Sequence, residues 1–271
     1  MSWKWLLGLF AATGILSGII WFLSDGEVIK PTVVSFDVKK ELKSGRVEEL
    51  KSLVATVSGE WAVYVYGLND GESWGINENE VMPAASIMKI PALAAVATRS
   101  GETWTLEEAD RRTGSGPLQF LKAGTVVTVE RVMTELGKKS DNTAWVMINR
   151  RLGYAEIEKE IENWGLKNTN YRELTTTAAD VGLMMRKIYE KQELWPYLEE
   201  SIYEDRISLG IPEGTRLVHK VGTDTGVWSD AGIVFGDRPF ILVILNKDAD
   251  QEEAVKLVPV ITRAVWDKIG E

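Results

Sequence analysis

Residues 82–93 read MPAASIMKIPAL and place a serine, Ser86, three positions before a lysine, Lys89. The run is apolar apart from this pair and predicts a helix that continues to about Thr98. Positions i and i+3 lie on one face of a helix, so the Lys89 amine can sit beside the Ser86 hydroxyl. Apolar neighbours would desolvate that amine and lower its pKa towards a value that suits a base. The spacing also arises by chance, so this candidate nucleophile and base need partners elsewhere in the chain.

The composition limits which kinds of protein this can be. The chain has 271 residues, 45% apolar and 26% charged, enough for one large domain or two interleaved lobes with a core. A net charge of −9 argues against a nucleic-acid-binding protein. The absence of cysteine and a single histidine, His219, exclude disulfides, thiolate catalysis and a zinc site built from cysteines or several histidines. We expect no metal and no cofactor.

The amino-terminal residues predict a membrane anchor. Residues 5–23 are apolar and uncharged, follow Lys4 and carry tryptophans near both ends. Their length is close to the roughly 20 residues that span a bilayer as a helix. We therefore expect a transmembrane signal-anchor over residues 1–23, a linker over 24–35 and a catalytic domain over 36–271 on the extracytoplasmic side of the cell membrane. A cleaved signal peptide is the alternative, and it would release a secreted domain.

The order of predicted elements indicates an α+β fold. An amphipathic helix is expected over residues 36–57 and a β-hairpin over 61–76. Three strands are expected between residues 216 and 246, and a last helix over 250–269. Strands at both ends of the chain around a helical middle imply one mixed sheet, completed late in the sequence, with a helical lobe inserted at about residues 98–208.

Two further motifs follow the serine and lysine. Ser140-Asp141-Asn142 lies in the helical block, where capping of a helix is the simplest explanation, and Lys220-Val221-Gly222-Thr223 lies on a predicted strand. In this order the three motifs resemble those of the penicillin-recognising serine hydrolases, most closely the class A β-lactamase-like branch. The resemblance runs from about residue 36 to the carboxyl terminus. It implies a β-lactamase/transpeptidase-like fold, in which an antiparallel sheet has flanking N- and C-terminal helices and an inserted all-helical lobe. Its flanking landmarks are Gly114-Ser115-Gly116, Thr175-Thr176-Thr177 and Asp230-Ala231-Gly232.

The resemblance implies a role for each residue of the first two motifs. Ser86 would be the nucleophile and Lys89 its base. Ser140 would pass a proton to the leaving nitrogen, and Asn142 would orient Lys89 and the substrate amide.

The third motif would bind the substrate. By the same resemblance, Lys220 would attract a substrate carboxylate, Gly222 would line the site, and the backbone amide of Thr223 would form an oxyanion hole with that of the nucleophile. Val221 departs from the family pattern, which has threonine or serine there, so one expected hydroxyl is missing. Thr223 or Thr225 could compensate.

A second departure concerns release of the acyl group. In class A β-lactamases a loop before the Thr-Thr-Thr landmark carries a glutamate that activates the deacylating water, and here that loop is shortened. Glu173 precedes Leu174, as in the family's glutamate-leucine portion, so Glu173 is a candidate for this role. An ordinary loop or capping charge is the alternative. We expect His219 to be structural, because strand alternation points it away from Lys220.

Three functions remain open. The leading one is a membrane-anchored hydrolase that opens β-lactam rings through a Ser86 acyl-enzyme. The second is a D,D-peptidase-like enzyme or slow-turnover penicillin-binding protein that acts on peptidoglycan peptides, and the third is a non-catalytic relative. The expected partners are a β-lactam or peptidoglycan-peptide substrate and the cytoplasmic membrane, with no nucleic acid, and the catalytic domain is expected to be monomeric.

Overall fold

The structure is a computed structural model that describes the backbone of residues 15–18 and 34–270 and the side chains of residues 45–269. Two compact units divide the chain, Met1–Glu49 and Leu50–Glu271.

The first unit contains one small sheet. Strand β1 (Ile15–Gly18) pairs antiparallel with β2 (Val34–Asp37), and helix α1 (Val38–Val54) begins directly afterwards. The anchor expected over residues 1–23 and the linker over 24–35 lie largely outside the described residues and stay predictions. Within the described part of the chain, no helix is long and apolar enough to cross a membrane.

The second unit alternates strands and helices. After α1 its elements are, in chain order, β3 (Glu60–Gly67), β4 (Ser73–Ile76), β5 (Met82–Pro83), α2 (Lys89–Val96), β6 (Thr103–Thr105), β7 (Val126–Thr128), α3 (Val129–Lys138), α4 (Asn142–Leu152), α5 (Tyr154–Asn163), β8 (Thr175–Thr176), α6 (Ala178–Glu190), α7 (Ile207–Gly210), β9 (Arg216–Asp224), β10 (Val227–Phe235), β11 (Phe240–Lys247) and α8 (Gln251–Gly270). A 3₁₀ turn over Ala85–Met88, here called the nucleophile turn, leads into α2.

A five-stranded antiparallel sheet forms the centre of this unit. Its order is β4-β3-β11-β10-β9, so early and late strands join as the sequence predicts. Strand β11 is apolar almost throughout and is buried on both faces. Ile241 and Val243 pack in the core with the helical lobe, while the ring of Phe240 lies 6.3 Å from that of Trp266 on α8. The predicted α+β architecture is confirmed.

The inserted lobe is not entirely helical, contrary to the prediction. Strands β6 and β7 pair within it, and β8 pairs with β5, which lies just before the nucleophile turn. The segments Thr103–Thr105 and Val126–Thr128 consist mainly of β-branched residues, which favour extended backbone. Each is only three residues long, too short for a periodic pattern to stand out in the sequence.

Candidate active site

Ser86 and Lys89 lie at the junction of the nucleophile turn and α2. They were expected on one α-helix, but Ser86 belongs to the 3₁₀ turn and Lys89 begins the α-helix. Ala85 has a φ of 44°, in the left-handed region that costs a non-glycine residue energy and is found preferentially at functional sites. Ser86 lies in the first turn, where backbone N–H groups have no acceptor within the helix. Its N–H is therefore available to a ligand.

The amine of Lys89 joins the first motif to the second. Its Nζ donates to the backbone oxygen of Ser140 at 2.5 Å, to Ser140 Oγ at 3.1 Å and to Asn142 Oδ1 at 2.8 Å. Lys89 is only 2% exposed. Burial lowers the pKa of Lys89 to about 7, although the charge of Asp141 opposes this shift. The expected desolvation of the amine is present, and its hydrogen-bond partners are Ser140 and Asn142; the contact between Lys89 and the Ser86 hydroxyl stays a prediction.

The second motif is held rigidly at the start of α4. Asp141 caps the helix by accepting from the N–H of Ala144 at 2.8 Å, and its other oxygen accepts from the N–H of Leu118 at 2.8 Å. A side chain at Gly116 would place its Cβ 2.1 Å from Asp141 Oδ2. Asn142 Nδ2 donates to the carbonyl of Thr113 at 3.1 Å, which fixes the amide so that its oxygen faces Lys89. The glycine landmark is therefore a loop that packs on this motif.

The third motif approaches from strand β9. Lys220 is 2% exposed, and its Nζ donates to the carbonyl of Val221 at 3.1 Å. Burial lowers the pKa of Lys220 well below its usual value, and the nearby charge of Lys89 lowers it further. A Cβ on Gly222 would lie 2.7 Å from the carbonyl oxygen of Ala84, so only glycine lets the strand pack this closely against the nucleophile turn. The three motifs thus meet at one place.

The backbone N–H of Thr223 points away from the sheet. Thr223 faces Trp228 across the β9–β10 ladder, but the N–H of Trp228 donates to Asn246 Oδ1 at 2.7 Å on the β11 side. The pair is therefore not a hydrogen-bonded one, and the N–H of Thr223 points towards the free edge of β9. His219, four residues earlier and thus in the same orientation, donates its N–H at this edge to the carbonyl of Leu198 at 2.9 Å.

His219 lies on the opposite face of β9 from Lys220, as alternation predicts. Its Nδ1 is 3.0 Å from Asp230 Oδ1, and its Nε2 is 3.4 Å from Glu204 Oε1 without hydrogen-bond geometry. Burial alone would lower the pKa of His219, but Asp230 and Glu204 outweigh it and raise the pKa to about 9. Asp230 also accepts from the N–H of Ile207 at 3.2 Å, which ties this network to α7.

Arg206 is a residue of this region that sequence reasoning missed. It is 1% exposed, and its Nη1 donates to the carbonyls of Gly222 at 3.1 Å and Ser229 at 2.7 Å. Its Nη2 donates to Thr223 Oγ1 at 2.6 Å, and the guanidinium lies 3.8 Å from the ring centroid of Trp228. No spacing or motif in the sequence marks it, because its partners come from two later strands.

Comparison with known proteins agrees with this geometry. A family model described as "Beta-lactamase enzyme family" matches residues 45–269. The chain belongs to this family. A comparison with curated protein sequences finds no match.

Solved structures of the family's fold are also similar to this chain. PBP-A is 25% identical with a TM-score of 0.76, covering 84% of this chain and 95% of its own. A β-lactamase from Sphaerobacter thermophilus is 24% identical with a TM-score of 0.75, covering 85% of this chain and 97% of its own. A β-lactamase from Xanthomonas campestris is 17% identical with a TM-score of 0.77, covering 84% and 99%. The last two show the fold alone.

Within this family fold, Glu173 points to solvent. Its side chain is exposed and makes no hydrogen bond or ion pair with the other side chains and backbone groups that the structure describes. Its N–H donates to Asn170 Oδ1 at 3.1 Å, and the carbonyl of the next residue, Leu174, accepts from the N–H of Ala84 at 2.7 Å. The loop that carries Glu173 is therefore bound to the backbone just before the nucleophile turn. The role of Glu173 in deacylation stays a prediction.

The hydroxyls that could replace the one missing at Val221 lie in different environments. Val221 is buried. Thr223 is exposed and its Oγ1 is already bonded to Arg206. Thr225 lies in the exposed turn between β9 and β10, where its N–H donates to Asp224 Oδ1 at 2.7 Å. The structure thus associates Thr223, rather than Thr225, with a cation beside the third motif.

Proposed function

We propose that this protein is an extracytoplasmic serine hydrolase that opens β-lactam rings through an ester on Ser86. The observation that carries the proposal is the buried amine of Lys89, which is hydrogen-bonded to both Ser140 and Asn142 and lies three residues from Ser86. A pKa near 7 leaves much of this amine neutral at neutral pH, so it can accept the hydroxyl proton.

Acylation would proceed in two proton transfers. Lys89 takes the proton of Ser86 as Oγ attacks the lactam carbonyl carbon, and negative charge develops on the carbonyl oxygen. The N–H groups of Ser86 and Thr223, both free of ladder or helix acceptors, are the donors for that charge. The C–N bond then breaks, and Ser140 Oγ, bonded to Lys89 Nζ, returns a proton to the departing nitrogen.

Substrate binding would rest on a few local cations in an acidic protein. Lys220 lies beside Lys89 and attracts the carboxylate of the substrate. Arg206 supplies a second positive charge next to Thr223 Oγ1. A bound carboxylate would restore the ordinary charged state of Lys220, since an opposite charge favours the protonated amine.

The proposed location is the cell membrane, with residues 1–23 as a single-pass anchor and a monomeric catalytic domain outside the cytoplasm. Support comes from the apolar, uncharged composition of residues 5–23 after Lys4. Fractionation of cells that express the full chain tests it. Recovery in the membrane fraction with protease access from outside is expected, and recovery in the cytosol would contradict it.

Labelling with a fluorescent penicillin tests the catalytic proposal. The full chain should acquire the label covalently on the peptide that contains Ser86, while Ser86→Ala should not. Hydrolysis of a chromogenic cephalosporin then measures turnover. Failure of the folded chain to acquire label would refute the proposal and leave a non-catalytic relative.

A second candidate, a D,D-peptidase-like enzyme or slow-turnover penicillin-binding protein, is favoured by one observation. The carboxylate of Glu173 is exposed and has no hydrogen-bond partner among the described residues, so no contact holds it in place to activate water. Release of D-alanine from a muropeptide, together with a label that persists for hours, would support this candidate. Rapid loss of the label with cephalosporin turnover would exclude it.

A further inference from the structure

The indole of Trp145 lies beside Lys89, the proposed base. Trp145 follows Asn142 by three residues on α4, so both side chains lie on the face that meets Lys89. The ring centroid is 5.7 Å from Lys89 Nζ, within the range of a cation–π contact. Lys89 is almost fully buried whereas Trp145 is half-buried. The indole therefore forms part of the wall between the amine and solvent.

The shortened loop holds this indole in place. Trp145 Nε1 donates to the hydroxyl of Tyr171 at 2.6 Å, and that hydroxyl donates to Asn149 Oδ1 at 2.8 Å. The two rings meet edge to face with centroids 6.2 Å apart. Tyr171 is 2% exposed and lies two residues before Glu173. The loop thus supplies an anchor for an aromatic ring at the base, while its own carboxylate points to solvent.

Hydrolysis of the Ser86 ester needs a water molecule beside a base. The water oxygen attacks the ester carbon and its proton passes to the base. The bond between that carbon and Ser86 Oγ then breaks, and the proton returns to Oγ. In the described part of the chain, no carboxylate hydrogen-bonds to Lys89 or Ser86, so neutral Lys89 is the available base. An apolar ring against this amine leaves less room for water.

We propose that Trp145 is a specificity-determining residue that keeps water away from Lys89 and so makes the Ser86 ester long-lived. The proposal rests on acylation at Ser86, as proposed above. Trp145 does not take part in proton transfer, so acylation itself depends on it only weakly. Asp141 and Lys220 are the other charged groups that act on Lys89, and neither contacts the indole through a hydrogen bond.

The experiment compares three variants of the full chain with the wild type. Trp145→Ala removes the ring that separates Lys89 from solvent. Trp145→Phe keeps an aromatic ring without the N–H, and Tyr171→Phe removes the hydroxyl that accepts from this N–H but keeps its own ring. A fluorescent penicillin gives the second-order rate constant of acylation and the half-life of the label on Ser86.

At a pH above the acid limb, where Lys89 is neutral in every variant, we expect Trp145→Ala to shorten the half-life at least about tenfold while the acylation constant changes by less than about threefold. Trp145→Phe and Tyr171→Phe each lose the hydrogen bond between Trp145 and Tyr171 but keep an aromatic ring at both positions. Each should therefore shorten the half-life only about threefold and leave the acylation constant within about twofold of the wild type. Hydration of Lys89 in Trp145→Ala should also move the acid limb of the acylation rate to higher pH, because burial is what lowers the pKa of Lys89. A purely structural role would not move that limb.

Three outcomes would overturn the proposal. The first is an unchanged half-life in a Trp145→Ala protein that acquires label normally. The second is equal shortening in Trp145→Phe and Trp145→Ala, since the ring would then not be the cause. If Trp145→Ala does not fold, an unchanged half-life in Tyr171→Phe decides against it. A wild-type chain that acquires no label is a different result, which refutes acylation at Ser86 itself.

Discussion

Buried basic side chains lie on both faces of strand β9, and the two environments shift their pKa values in opposite directions. On the side of the nucleophile turn, Lys89 and Lys220 have no carboxylate hydrogen-bonded to either amine among the described residues, and the pKa of each is lowered. On the side of α7, the pKa of His219 is raised, because Asp230 contacts its ring.

Under the proposed function, the difference separates a base, Lys89, from a structural cation, His219. A base must be able to lose its proton near neutral pH, so a buried amine without a carboxylate suits it. A structural cation must keep its charge, so it needs a buried anion, and removal of that anion is costly. The same strand therefore supports reactivity on one face and stability on the other, and variants can separate the two.

The largest effect is expected from Lys89→Met. Loss of the base should slow labelling of Ser86 by penicillin about 10³-fold. The melting temperature should change little, because removal of a desolvated amine without a carboxylate partner offsets the loss of its hydrogen bonds to Ser140 and Asn142. Lys89→Arg keeps a charge that cannot be lost and should be similarly slow. A labelling rate within tenfold of the wild type in either variant would show that another group is the base.

On the other face, Asp230→Ala should cost about 3–5 kcal/mol in the free energy of unfolding, since it leaves His219 buried without its carboxylate. Denaturant titration measures this loss. Asp230→Asn keeps a hydrogen-bond acceptor and should lose less. The folded fraction should still be labelled far faster than Lys89→Met. A loss below about 1 kcal/mol would mean that the network is not a major source of stability.

The two faces should also respond oppositely to pH. The pKa of His219 in the folded protein is about 9, above its ordinary value of 6.5. Its contribution to the free energy of unfolding is therefore complete below about pH 6.5 and is lost as the pH rises through about 9. The difference in the free energy of unfolding between the wild type and His219→Gln should therefore shrink by about 3 kcal/mol over this range. The pKa of Lys89 in the folded protein is about 7, below its ordinary value of 10.5. Burial of its charge therefore lowers the free energy of unfolding by the full amount below about pH 7, and this loss is relieved as the pH rises.

Unfolding titrations at several pH values measure both differences. The free energy of unfolding of the wild type minus that of His219→Gln should fall as the pH rises. The same difference between the wild type and Lys89→Met should increase. Parallel curves would contradict the assignment of opposite roles. The acylation rate of the wild type should rise through about pH 7 as Lys89 loses its proton.

The smallest effects should come from a matched pair of glycines. Gly222→Ala places a Cβ 2.7 Å from the carbonyl of Ala84, whereas Gly232→Ala places one 2.9 Å from Leu217 Cδ1 and 3.1 Å from His219 Cβ. Each should lose about 1–3 kcal/mol of stability through overpacking. Only Gly222→Ala displaces the nucleophile turn, so only this variant should also slow labelling, by roughly tenfold. Equal labelling rates would show that the turn adapts.

Much of the candidate site could be predicted from the sequence, because the spacing of residues within each motif and the order of the motifs along the chain indicate it. The Ser86 and Lys89 pair and the Ser140-Asp141-Asn142 motif lie on local elements, and a helix places i and i+3 together wherever it forms. The sheet could be predicted because its long strands are runs rich in apolar and β-branched residues with turn signals between them.

The rest required the fold itself. Asp230 meets His219 through the register of β9 with β10, and Arg206 meets Thr223 from an irregular segment before α7. The direction of the Glu173 side chain depends on an Asn170 turn that no periodic pattern encodes. Trp145 did have a signal, its spacing of three from Asn142 on the same helix face.

The pairing of β3 with β11 has a consequence for biosynthesis. β3 is among the first strands of the catalytic unit and β11 is the last, and β9, which holds the nucleophile turn through Gly222, also comes late in the chain. The sheet cannot close until nearly the whole chain has emerged, a topology of high contact order that folds slowly. Ser86 thus gains its environment only at completion, and covalent labelling by penicillin would serve as a reporter of finished folding.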